Sequence, residues 1–363
     1  MKKAMAGKIT HLEVFTQTIK HLLHGTSEQK EIAELLSHPN YKNYGNVGTV
    51  APDIFYYYHI FSPIRSSKAQ FWGDLHHHQK VLELVLNFLD LCHETEEEIS
   101  RNKLIAFTYG YICHCVVDIV THPYIFYISG DYYSKDPKIA SLAQVNHLRV
   151  EYALDSFLLN YRWGMSPRVY DFLQYVNIIK KNHSKGRKMD PLVWLFWQTA
   201  LSRTFPQEFS THYIGSSKKI IPGDLLNDSY IGFLDFHRVL DSRSSFMRGF
   251  LKVLDIVTFH KIKTSVLVVP TAESIDKRIM NEEKRPWYYP ADPKIVSRES
   301  FIELTNRAAK VAKEAITKAY FYLQGEEKKE RLFKEYLGYN LDTGLRNQSI
   351  EDMKEFAPLG SES

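Results

Sequence analysis

The amino-acid sequence predicts an all-α protein built as a multi-helix bundle, and three observations carry that reading. Apolar residues recur at three- and four-residue spacing through most of the 363 residues. Helix-opening signals stand in front of several of those stretches, at Thr10, Ser27, Asp190-Pro191 and Ser300. Strand-type alternation is scarce, and no repeat or low-complexity segment breaks the pattern.

Taken in order, Thr10 caps a helix carrying Leu12, Phe15, Ile19, Leu22 and Leu23 and closing at Gly25. A short helix follows from Ser27 to Pro39. Residues 39–75 are punctuated by Gly45, Gly48, Pro52, Pro63 and Gly73 and read as a long ordered loop rich in Tyr. A helix over about Gln79–His93 comes next. Thr95 with Glu98 then forms a capping-box pattern for another, which Pro123 should end near Thr121. Further helices are expected over 139–161 and from Asp190. Another runs over 230–259, with breaks at Gly232 and Ser242–Ser245. Residues 265–297 read as a loop, and the last helices run from Ser300 to about Leu323 and on to Leu337. The organisation expected is a metal-binding helical core over 1–165 with a helical C-terminal part, 166–363, packed on it.

Composition narrows the class. The 46 basic and 42 acidic residues leave only +4, too little to argue for a nucleic-acid partner. Three cysteines, Cys92, Cys113 and Cys115, exclude a disulfide framework. No apolar run approaches a membrane span of roughly 18–20 residues, and no signal-peptide core follows the N-terminal lysines. The expected location is the cytoplasm, or outside the cell by a route without a recognisable signal.

Chemistry concentrates in Tyr111-Ile-Cys-His-Cys-Val-Val-Asp-Ile-Val-Thr-His-Pro-Tyr124. Four residues of helix turn about 400°, so His114, Asp118 and His122 share one face of an apolar helix. A single histidine there is more often a satisfied core residue. A second pair of the same spacing, His147 and Glu151 with Asp155 beyond, reverses that balance. His11, Asp53 and the run His76-His77-His78 add donors. Imidazole and carboxylate together suit Zn²⁺, and this many donors exceed one tetrahedral site, implying two or three ions. Histidine outnumbers carboxylate, which argues against a di-iron site of the Glu-x-x-His type. Cys113 and Cys115 point about 100° away from His114 and read as small core residues.

These residues resemble the zinc-dependent phospholipase C family. The resemblance rests on His11, on Pro52-Asp53-Ile-Phe-Tyr-Tyr, on Gly73 with His77-His-Gln, on Gly110-Tyr-Ile-Cys-His114-x-x-x-Asp118-x-x-x-His122-Pro-Tyr, and on His147-x-x-x-Glu151-x-x-x-Asp155. It covers about residues 8–160; Trp287-Tyr-Tyr-Pro290 and Asn340-Leu-Asp-Thr-Gly344 also look familial. It implies that His77, His114 and Asp118 hold one zinc with Asp53 beside them, with His76 as the fallback for His77. His122, His147 and Glu151 would hold a second, and His11 a third, bridged to the first through Asp118. Asp53 would orient or deprotonate the attacking water. The secreted members complete the third site with a processed N-terminal amine, whereas ten residues precede His11 here.

The activity so implied is hydrolysis of a glycerophospholipid to diacylglycerol and a phosphorylated headgroup. The partner would be a phospholipid, with transient membrane-surface contact through outward-facing aromatics near Phe55–Tyr58 and Tyr124–Tyr127. Core packing is the equal alternative for those rings. The competing readings are an S1/P1-type nuclease and a non-catalytic zinc protein. Headgroup and oligomeric state are not legible.

Overall fold

The thirty-two residues Glu98–Ser129 form one helix, and the rest of the molecule is arranged around it. In this computed structural model, which describes residues 7–60, 62–182, 186–240, 243–257 and 267–359, the helices are α1 (Lys8–Leu23), α2 (Ser27–Ser37), α3 (Lys42–Gly48), α4 (Pro63–His78), α5 (Val81–His93), α6 (Glu98–Ser129) and α7 (Pro137–Trp163). They continue with α8 (Pro191–Thr204), α9 (Pro206–His212), α10 (Leu225–Val239), α11 (Ser245–Val257), α12 (Phe301–Leu323) and α13 (Lys329–Tyr336). The fold is all-α. Two small antiparallel hairpins accompany the helices, β1–β2 (Ile179–Asn182 with Gly186–Met189) and β3–β4 (Trp287–Tyr289 with Asp292–Ser297).

Helix α6 is apolar on nearly all sides, the pattern of a helix buried in a core. Helices α1, α3, α5, α7, α8 and α12 and strand β3 cover it. By length and composition it could cross a membrane, contrary to the expectation that no stretch comes close, but its apolar window lies almost entirely inside the protein. Its start also differs from the expected capping box. Glu97 caps it by accepting from the amides of Ile99 and Ser100, while the Thr95 hydroxyl turns back to the Leu91 carbonyl.

Two other expectations fail for one reason, that tertiary packing outweighs local propensity. Pro123 does not end α6; the helix runs on to Ser129 with Pro123 buried inside it, although an interior proline costs about 3 kcal/mol. Residues 39–75 are not a long loop but hold α3, a 3₁₀ turn over Pro52–Tyr57, and most of α4. The glycines of α3 mark a crossing, not a break. A Cβ on Gly48 would lie 2.1 Å from the Phe107 carbonyl, and one on Gly110 1.9 Å from the Gly45 carbonyl. Only glycine lets these two backbones touch.

The later segments show the same correction on a smaller scale. Helix α10 begins at Leu225 and passes Gly232 unbroken. The loop expected at 265–297 holds β3 and β4 over its described residues. Residues beyond 165 pack directly on the N-terminal helices: α8 on α5, and α12 on both α1 and α6.

Candidate metal centre

Each side chain of the centre is set by its own piece of backbone. Helix α6 carries His114, Asp118 and His122 down one stripe, and α7 presents His147 and Glu151 one turn apart. Helix α1 brings His11, the 3₁₀ turn brings Asp53, and the last turn of α4 brings His77. All eight are buried, Asp53 being the most exposed at 7%. They come together as three groups, the first two sharing His114: His11–Asp53–His114, His77–His114–Asp118 and His122–His147–Glu151.

Distances and orphaned atoms test whether a metal fits. Two donors each about 2.1 Å from a tetrahedral ion stand about 3.4 Å apart. Nε2 of His77 lies 3.3 Å from Asp53 and 3.5 Å from Asp118, Nε2 of His11 lies 3.4 Å from Asp118, and Nε2 of His147 lies 3.3 Å from Glu151. Yet no hydrogen bond satisfies Nε2 of His77, His114 or His147, Oδ1 of Asp53, or either oxygen of Asp118. Each such buried orphan costs about 1–3 kcal/mol without a partner. A cation shared among them meets the need, and imidazole with carboxylate is a zinc donor set.

The backbone decides which nitrogen faces inward. His114 Nδ1 donates to the Thr49 carbonyl at 2.8 Å and His77 Nδ1 to the Gly73 carbonyl at 2.8 Å, which leaves Nε2 of each for the centre. His76 has no such freedom: its Nδ1 pairs with the Trp72 carbonyl, and its Nε2 accepts from Trp197 Nε1 at 3.2 Å. It is a satisfied core histidine, so among the three adjacent histidines the geometry favours His77. Because His114 has one free nitrogen, it can serve only one of the two groups it belongs to. Asp118 has two oxygens and faces both ways, Oδ2 toward His77 and His114 and Oδ1 toward His11 and His122.

Charge follows the same division. Burial pulls the His77 and His122 imidazoles down, but the carboxylates of Asp53 and Asp118 outweigh it for His77 and those of Asp118 and Asp342 for His122, holding them at about 9 and about 10. His11 goes the other way, to about 3, through burial and the stacked His114. Burial opposes ionisation of Asp118, but His114, His122 and His11 hold it well below the usual carboxylate range.

One member escaped the sequence reading. Asp342, at 1% exposure, places Oδ1 3.2 Å from His122 Nδ1 and Oδ2 2.8 Å from His78 Nε2, and accepts from the Tyr133 hydroxyl. Its loop is anchored by the Leu341 amide on the His77 carbonyl, and Asn340 Oδ1 accepts from the amides of Asp342 and Thr343. Gly344 holds φ +66° where a Cβ would strike the Ile119 carbonyl and the Pro123 ring. The Asn340–Gly344 motif was visible in the sequence, but its distance from the helical ligands hid its role.

Of the aromatics expected at the entrance, all but the half-buried Tyr127 lie inside. Phe55, Tyr56, Tyr57, Tyr58, Tyr124 and Phe126 are buried, Phe55 against His76 and Trp197 and Tyr57 against Phe233 and Phe236. Cys113 and Cys115 are buried free thiols, and burial holds that of Cys113 up at about 12.

No curated protein and no solved structure matches this chain. The zinc dependent phospholipase C family matches residues 10–215, more than half of the sequence and a span containing all eight clustered residues. The chain belongs to the zinc-dependent phospholipase C family.

Proposed function

We propose that the protein is a phospholipase C that cleaves a glycerophospholipid into diacylglycerol and a phosphorylated headgroup, using a centre of two or three zinc ions. Family membership supports the general activity. The observation that carries the reading is the two-sided placement of Asp118 between two groups of buried, inward-facing imidazoles. In this reading His77, His114 and Asp118, with Asp53, form one ligand set, and His122, His147 and Glu151 form the second. His11 is the separate donor of a third position, drawing otherwise on carboxylates it shares. Bound zinc supplies Lewis-acid polarisation of the phosphoryl oxygens and acidifies water.

The protein groups have distinct tasks. Asp53 is the most exposed member of the cluster, so the site is reached from its side. Burial opposes its ionisation, but His77 and His114 hold its carboxyl low, leaving an anion at neutral pH to take a proton. Water oxygen bonds to phosphorus as the bond from phosphorus to the diacylglycerol oxygen breaks. The water proton passes to Asp53, and the departing oxygen takes one from solvent. Asp342 holds the His122 ring by its outer nitrogen, so Nε2 stays directed toward Glu151 and Asp118.

The test offers zinc-loaded protein phosphatidylcholine and single-stranded DNA in parallel. Phosphocholine release without nucleotide release is expected. Nucleotide release alone would replace this reading with a nuclease. Release from neither, with metal bound, would leave a non-catalytic zinc protein.

A further inference from the structure

Helix α11, Ser245–Val257, is mounted with its apolar side outward. Phe246, Phe250, Val253 and Val257 recur at four- and three-residue steps, so they form one stripe. That stripe lies in solvent, with Phe246 78% exposed, Phe250 51%, Val253 57% and Val257 67%; Ile256 beside it is 64% exposed. Only Leu251 and Asp255 are buried on the opposite side. The apolar arc is wider than the part the protein covers. Single exposed apolar residues need no explanation, but a continuous stripe of this kind marks a contact surface.

We propose that α11 is a docking helix for an anionic phospholipid bilayer. The inference rests on the reading of the substrate as a membrane lipid. Charge fits that occupant: Lys252 is exposed on the flank of the apolar side, just beyond Ile256, while the only acid of the helix, Asp255, is buried on the opposite side. An exposed apolar stripe with a basic residue on its flank and no acid on its outward side is the pattern of a helix lying in the headgroup layer. Area argues against a protein partner. A 13-residue helix offers a face roughly 20 Å by 10 Å, about 200 Å². That is about a quarter of the ~800 Å² each side of a stable protein interface buries. A fluid bilayer sets no such minimum, because lipid fills in around the inserted side chains.

Placement fits as well. The preceding helix, α10, packs on the 3₁₀ turn that carries Asp53. Near its end His237 meets the Lys8 ammonium at 2.7 Å, three residues before His11. The helix that precedes α11 thus packs beside the turn that carries Asp53 and meets the start of α1, which carries His11.

The experiment uses full-length, zinc-loaded protein with two kinds of phosphatidylcholine. One is vesicles mixed with phosphatidylserine; the other is a short-chain form kept monomeric. Phe246→Ser combined with Phe250→Ser should lower vesicle partitioning about tenfold or more. Hydrolysis of the monomeric lipid and the melting temperature should stay unchanged. Lys252→Gln should lower partitioning onto the anionic vesicles about fivefold. Wild-type partitioning by the double variant overturns the proposal. So does a concentration-dependent dimer that the double variant abolishes while vesicle binding is unaffected, since the stripe then belongs to a second copy. Vesicle binding that depends on α11 without cleavage of either lipid leaves docking standing and removes the phospholipase reading. Cleavage of the monomeric lipid by a protein that never binds vesicles does the reverse.

Discussion

Helix α6 buries three titratable side chains along one stripe, whereas α11 holds four large apolar side chains in solvent. Each arrangement is costly in isolation, for opposite physical reasons. Desolvating imidazole and carboxylate without a partner is unfavourable, and so is leaving a phenylalanine stripe in water. In α6 the compensation is internal: histidines and carboxylates from α1, α4, α7 and the 3₁₀ turn converge on the same space. In α11 nothing in the described chain covers the stripe. The comparison teaches that a departure from apolar-in, polar-out points to a missing partner, and that its polarity says which kind.

The largest break in that comparison should come at the α6 seam. Asp118→Ala removes the one carboxylate facing both histidine groups. It should cut zinc content and lower turnover by more than the roughly 10–100-fold typical of an outer-sphere change. Metal analysis and phosphocholine release measure both. A variant retaining full metal and turnover would dismantle the two-sided reading. Packing comes next. Phe107→Ala, which removes a fully buried ring set against Phe88, Phe196 and Trp197, should cost about 3–5 kcal/mol in denaturant unfolding. Asp342→Asn should weaken zinc retention about 10–100-fold in competition with a chelator, with Asp342→Glu recovering part of it. Unchanged retention in Asp342→Asn would reduce the loop to a packing element.

A pH series sharpens the seam further. In chelated protein His77 and His122 titrate at about 9 and about 10, above the ordinary 6.5. Groups raised in the folded state stabilise it fully below 6.5, and that contribution is lost as pH rises through 9 and 10. Melting temperature of the chelated protein should fall across that window. Zinc affinity should rise over the same range, because the imidazoles must be neutral to ligate. Calorimetry near pH 7 should show protons released on binding. The smallest effect belongs to α11: Phe246→Ala should change stability by no more than about 0.5 kcal/mol. A loss approaching that of Phe107→Ala would mean the stripe is covered after all.

Sequence reading and structure diverge in an orderly way. His114, Asp118 and His122, and His147 with Glu151, are legible because a helix repeats its faces over four residues, and the all-α class follows from that periodicity and the capping signals. Three features needed the assembled fold. Pro123 reads as a helix end, but packing on every side of α6 carries the helix past it. Gly45 and Gly48 read as loop punctuation, and only the crossing with Gly110 shows them to be contact points. The exclusion of His76 as the fallback for His77 turns on Trp197, more than a hundred residues away, occupying His76 Nε2.

The sequence by itself determined the helical class, the chemistry of the donors and the family, because these depend on short-range spacing and residue type. The tertiary structure alone decided which nitrogen of His77 and His114 faces the centre and brought Asp342 to 3.2 Å from His122. It also decided that most aromatics beside the ligands lie inside, while α11 leaves Phe246 and Phe250 in solvent. Those outcomes depend on where distant segments meet, and side-chain periodicity along one helix carries no information about the segment that will cover it.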